Sequence, residues 1–168
     1  MYDVVRIDHF IGIVRYYAIP AEGVPVDGAF RKGPGEKLIK AIDEAIGDAK
    51  VIAEDLGVVV PGVRQLLKQS GYPGMKILEF AFDGKTDNEY LPHNYERNCV
   101  VYSGTHDNET LLGYFDSLPE EGYEYLLDYT GICISDKICS EFKEKLANAV
   151  IRLAYQSVAD TVILQMQD

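Results

Sequence analysis

Five short apolar runs punctuate the chain: Tyr2-Asp3-Val4-Val5-Arg6-Ile7, Lys50-Val51-Ile52-Ala53-Glu54, residues 75–82, Cys99-Val100-Val101-Tyr102-Ser103 and residues 161–166. Each has the length of a strand. Helical spacing fills several of the gaps. Over residues 34–46, Leu38, Ile42, Ala45 and Ile46 share one face, Pro34 suits the first turn and Gly47 closes the helix. Residues 61–69 predict a second helix, stopped at Gly71. Residues 109–115 follow, with Asn108 as the expected cap, then residues 119–129. Residues 140–157 give the clearest stripe, from Phe142, Leu146, Ala149, Val150 and Leu153. Residues 10–31 and 83–98 are rich in Gly, Pro and polar side chains and read as long loops.

Strands alternating with loops and helices predict an α/β fold with a parallel sheet. A complete (β/α)8 barrel takes ~250 residues, and this chain has 168. It is about three strand–helix units short. The expectation is a partial (β/α)8 TIM barrel. It comprises about the last five strands with their helices, as one incomplete domain over residues 1–168. The amino-terminal strands and the carboxyl-terminal end would be missing, because Met1 and Asp168 both abut strands expected in the interior.

Composition narrows the field. The net charge of −11 opposes binding to nucleic-acid backbones or anionic lipid. No apolar run is long enough to span a bilayer, and no signal-peptide pattern opens the chain. Cys99, Cys133 and Cys139 form no disulfide framework and no CxxC pair, so they are expected as free thiols in a reducing cytoplasm.

The chemistry collects at strand ends. In the first run Arg6 and Asp8 fall on one face, Val5 and Ile7 on the other, with the whole strand expected to be buried. Arg6 beside Asp8 favours an ionised carboxylate. Asp8, Glu54 and Asp107 each stand just past the carboxyl end of a strand, where the active sites of parallel barrels lie. Glycosidic bond chemistry needs this inventory. One carboxylate attacks the anomeric carbon, a second carboxyl serves as acid and then base, and a further group stabilises the cationic transition state. Asp8 suits the nucleophile. Glu54, on an apolar strand with no cation nearby in sequence, suits the acid/base. Asp107 and His106 could reach sugar hydroxyls.

Taken singly, each acid fits a local role equally well: a strand-end Asp capping a loop, a Glu-Asp pair opening a helix, a His-Asp pair bonded within a turn. Tyr16 and Tyr17 either stack on a flat ligand face or pin their loop to the body. A metal-dependent barrel hydrolase using Asp8, His9, His106 and Asp107 is a rival reading. It lacks an H-x-H or HExxH spacing, and the chain has only three His.

Arg6-Ile7-Asp8-His9-Phe10, Ala53-Glu54-Asp55-Leu56-Gly57 and Gly104-Thr105-His106-Asp107-Asn108 resemble three segments of the 4-α-glucanotransferases, also called amylomaltase or disproportionating enzyme. These are retaining (β/α)8 enzymes of the α-amylase clan. Lys32-Gly33-Pro34-Gly35 and Gln167-Asp168 extend the resemblance over essentially the whole chain. It implies Asp8 as nucleophile, Glu54 as general acid/base and Asp107 as transition-state stabiliser. Arg6 would support Asp8, with His106, His9 and Asn108 binding sugar. It further implies transfer of α-1,4-glucan segments between maltooligosaccharides through a glycosyl-Asp intermediate, with no metal or organic cofactor. One departure is Ile11, where the family commonly has Arg followed by Gly.

The missing barrel strands open an alternative. The chain would be a fragment without activity of its own, binding glucan or a complementing chain, and self-associating through exposed barrel edges.

Overall fold

The computed structural model describes residues 2–57, 60–133 and 140–168. The chain divides into two compact units, Met1–Met75 and Lys76–Asp168.

The first unit contains β1 (Val4–Ile7), a short α1 (Ile11–Val14), β2 (Arg15–Ala18), β3 (Ala29–Lys32), α2 (Glu36–Ile46), β4 (Lys50–Ala53) and α3 (Pro61–Ser70). The unit boundary falls inside β5 (Gly74–Ile77). β1 runs parallel to β4, pairing Val4 with Lys50 through to Ile7 with Ala53, and β4 runs parallel to β5, pairing Ala53 with Gly74. With a parallel neighbour on each side, β4 buries Val51, Ile52 and Ala53. Val51 and Ala53 join Phe10, Ile11, Ile13, Ile39, Val63 and Leu66 in the core of this unit.

Three expectations need correction here. β1 is a strand but is not buried: Val4 and Val5 are 48% and 44% exposed. Among the described residues only β4 flanks it. Residues 10–31 are not a loop. They hold α1 and an antiparallel hairpin in which Arg15 pairs with Lys32 and Ala18 with Ala29. Arg15 lies 4.4 Å from the Phe30 ring centre, Tyr17 meets Phe30 edge-on, and Tyr17 OH donates to Pro25 O at 2.7 Å. Tyr17 thus pins the hairpin, while Tyr16 stays exposed. Gly33 must be small, since a Cβ there would lie 2.2 Å from Ile13 O. In α2 the inward stripe is Ile39, Ile42 and Ile46, leaving Leu38 and Ala45 exposed. The same helix period admits both stripes, and packing selected the one with three isoleucines.

The second unit holds the end of β5, β6 (Cys99–Tyr102), α4 (Leu111–Ser117), α5 (Glu120–Thr130), α6 (Ser140–Gln156) and β7 (Thr161–Ile163). β6 and β7 are parallel, with Val100 opposite Thr161 and Tyr102 opposite Ile163. All five apolar runs therefore form strands. All five are shorter than the runs, β5 and β7 most: β5 gives way to a 3-10 turn at Leu78–Phe80, and β7 stops at Ile163. Leu78, Leu91, Val101, Leu111, Leu126, Leu146 and Val150 are fully buried in the core of this unit. In α6 the stripe of Phe142, Leu146 and Val150 packs as expected, with Ala147 and Ala154 beside it and Ala149 and Leu153 only half-buried. Residues 83–98 are less polar than they read, because Leu91 and Tyr95 turn inward. The cap of α4 is Thr110, which accepts from Gly113 N–H, and not Asn108.

Cys99 is a buried free thiol and Cys133 an exposed one, while Cys139 lies outside the described residues. Among the described residues no helix is long and apolar enough to cross a membrane.

Candidate active site

In the first unit the pairing of β1 with β4 runs past both strand ends. Glu54 N–H donates to Ile7 O at 2.9 Å, and Phe10 N–H donates to Glu54 O at 2.8 Å. Asp8 and Glu54 are therefore the next positions in a register that pairs Ile7 with Ala53. Arg6 Nη2 lies 2.8 Å from Asp8 Oδ1, as two residues on one face of a strand permit. Arg6 Nη1 also points at Met75 Sδ, 3.9 Å away at the start of β5. The Arg6 side chain is 31% exposed and that of Asp8 74%. The aspartate is thus open to solvent, with its cation held against the strand.

Glu54 sits in more polar surroundings than its apolar strand led one to expect. Its Oε2 accepts from His9 N–H, and its Oε1 accepts from Leu56 N–H at 2.9 Å. The backbone at the donor of the first bond is unusual. His9 has φ of +48°, in the left-handed region that non-glycine residues seldom enter. Asp55, next along, is engaged elsewhere. Its Oδ1 accepts from Met75 N–H at 2.8 Å and fastens β4 to β5.

In the second unit a tight turn follows β6. Asn108 Oδ1 accepts from both N–H and Oγ1 of Thr105, at 2.9 and 2.6 Å, and Asn108 N–H returns to Thr105 O at 3.0 Å. His106 and Asp107 stand at the tip. Their side chains are 70% and 83% exposed, with Nε2 3.4 Å from Oδ2. Asn108 builds this turn.

Beneath it lies a residue that strand periodicity concealed. Glu79, in the 3-10 turn after β5, is buried, and its N–H donates to Ser103 O at 3.1 Å. Burial pushes its carboxyl up to about 7. The charges of Asp168 and Glu109 add to the rise, and a hydrogen bond with the Asn108 side chain opposes it. Gly104 leaves room for it, since a Cβ there would lie 2.8 Å from Glu79 Oε1. Asp168 is also engaged. Its Oδ1 accepts from Leu111 N–H at 2.9 Å, at the start of α4, and its Oδ2 accepts from Ser103 Oγ. Among the described residues no three His, Cys, Asp or Glu gather as a metal site.

Asp8 and Glu54 thus share one pair of strand ends with Arg6 and His9, while His106, Asp107 and Asn108 share one turn. A family model described as 4-alpha-glucanotransferase matches residues 1–168. The chain belongs to the 4-alpha-glucanotransferase family. It is 45% identical over 169 residues to the chloroplastic/amyloplastic 4-alpha-glucanotransferase of Arabidopsis thaliana, covering 100% of this chain and 28% of that protein. It is 44% identical over 170 residues to the 4-alpha-glucanotransferase of Clostridium butyricum, covering 100% of this chain and 33% of that one. Among solved structures, amylomaltase from Streptococcus agalactiae in complex with acarbose superposes with a TM-score of 0.84 at 38% identity, over 99% of this chain and 32% of that one. The fold is accordingly part of a (β/α)8 barrel of the amylomaltase kind. The chain spans about a third of the length of these family relatives.

Proposed function

We propose that the chain carries the reacting carboxylates of a 4-α-glucanotransferase and moves segments of α-1,4-glucan between maltooligosaccharides. The observation that carries this reading is the fastening of Asp8, with its Arg6 partner, next to Glu54. Parallel neighbours lie about 4.8 Å apart. Side chains leaving in-register positions start close together, which favours the near pair of carboxyls that a retaining mechanism needs.

The chemistry follows. Asp8 carboxylate attacks the anomeric carbon of the donor, and the C1–O4 bond breaks. Glu54, in its acid form, gives its proton to the departing oxygen. The incoming 4-hydroxyl of an acceptor then loses its proton to Glu54 as its oxygen displaces Asp8. Two inversions give net retention. Arg6 holds the Asp8 carboxylate in place. His106, Asp107, His9 and Asn108 are assigned to the sugar hydroxyls, with Asp107 strengthening its bonds as charge develops on the ring. No step requires a metal or an organic cofactor. A cytoplasmic setting suits the free thiols Cys99 and Cys133, although the Arabidopsis relative is named chloroplastic/amyloplastic.

A second reading keeps the residues and drops the turnover. The open flank and exposed valines of β1 would favour a chain that binds glucan, associates with itself or needs a complementing chain. One experiment separates the two. The chain and its Asp8→Asn variant are incubated with maltotriose, and acarbose binding is followed by calorimetry. Glucose plus longer maltodextrins from the parent, and none from the variant, supports transfer. Acarbose binding without products supports the second reading. Products from Asp8→Asn would remove Asp8 as nucleophile.

A further inference from the structure

Among the described residues Glu79 is the one buried carboxylate-bearing side chain, and the proposed transfer reaction does not use it. Its surroundings are unlike those of an ion pair. The charged groups acting on it, Asp168 and Glu109, are both acids, and the Tyr114 hydroxyl on α4 is raised in turn by burial and by Glu79. Glu79 Oε1, Tyr114 OH and Gln165 Nε2 are all buried without a hydrogen-bond partner among the described residues. The Asn108 side chain is near enough to favour the ionised carboxylate against these influences. Asn108 spends its carbonyl oxygen on Thr105 and so closes the turn on which His106 and Asp107 stand. Gly104, the first residue of that segment, packs directly on the Glu79 carboxyl.

We infer that Glu79 is a positioning residue for Asp107, acting through Asn108 to fix the turn of residues 104–108. The inference rests on the reading that Asp107 serves the transfer reaction, but the turn itself can be observed without turnover. The neutral carboxyl fits the site. It places no second negative charge beside Asp168, and it keeps its place against Gly104. A glutamine has the same shape and no charge, so it should replace Glu79, whereas alanine removes the support.

The test compares this chain with Glu79→Gln, Glu79→Ala and the core variant Leu146→Ala. Amide exchange and backbone shifts are read at Asp107 and Asn108, and kcat and KM on maltotriose. In Glu79→Ala, Asn108 N–H exchange should quicken about tenfold or more. At the same time kcat should fall about tenfold with KM within about twofold. Glu79→Gln should match the parent in both, and Leu146→Ala should leave the turn unchanged. Normal protection of Asn108 in Glu79→Ala overturns the inference, as does a Glu79→Gln variant as impaired as the alanine one. An inactive parent would count against the proposed function alone, since exchange still decides the positioning. Should Glu79→Ala not fold, Glu79→Met takes its place: Asn108 N–H exchange should again quicken about tenfold or more, and parent-like protection overturns the inference.

Discussion

Replacing Glu79 with Gln should change how stability depends on pH, and the size of the change follows from the structure. The Glu79 carboxyl is raised from 4.5 to about 7, first by burial and then by the charge of Asp168. A group whose folded value is raised binds its proton more tightly in the native state. Its contribution is therefore fully present below the unfolded value of 4.5 and is lost as pH climbs through about 7. At about 1.36 kcal/mol per unit, the two-and-a-half-unit difference amounts to about 3 kcal/mol. Glutamine has no proton to lose. The parent should thus lose about 3 kcal/mol more than Glu79→Gln between pH 4.5 and pH 8, since the other titrating groups are common to both. Urea unfolding followed by circular dichroism at the two pH values measures this directly. Parallel stability curves for parent and variant would refute the reasoning, because they would mean that Glu79 is solvated in the native state.

Leu146→Ala empties a fully buried position on α6 and should cost about 2–5 kcal/mol in the same urea assay. Gly104→Ala drives a Cβ to 2.8 Å from Glu79 Oε1 and should cost about 1–3 kcal/mol, with the loss smaller when Glu79 is also changed to Ala. Thr110→Ala removes the side-chain cap of α4 and should cost about 1 kcal/mol, visible as faster amide exchange at Gly113. Arg6→Ala frees Asp8 from its partner. It should lower kcat about 100-fold on maltotriose while leaving the unfolding midpoint little changed, since such misplacement acts on reactive geometry.

Much of the fold was legible because its strands are short apolar runs set between Gly, Pro and polar breaks. Strand ends named Asp8 and Glu54 directly, and alternation along β1 foretold the Arg6–Asp8 pair. Other features hid for physical reasons. The hairpin of β2 and β3 has four residues per strand, and its Gly- and Pro-rich connection carried the loop signal. Glu79 lay inside Ile77-Leu78-Glu79-Phe80-Ala81-Phe82, where an apolar run reads as one strand, yet the chain turns into a 3-10 helix at Leu78. Asn108 looked like a helix cap by residue type and place, whereas the cap observed is Thr110. The choice rests on which side chain meets a free N–H, and Asn108 was already committed to Thr105. The depth of β1 depends on how many strands flank it, a property of the assembled sheet that its own residues do not encode.

The fastening of β1 to β4 by Glu54 N–H and Phe10 N–H has a consequence for drift and for engineering. The distance between the two strand ends is written in main-chain atoms, so the exposed side chains of Val4 and Val5 on β1 can vary in size without rewriting it. A library that randomises those positions should explore packing while the spacing of Asp8 and Glu54 is inherited unchanged. Position 9 is the exception. Its left-handed backbone admits Gly, Asn and Asp readily and β-branched residues hardly at all. Tolerance of folding there should follow backbone shape, while activity should also follow the sugar contact assigned to the imidazole.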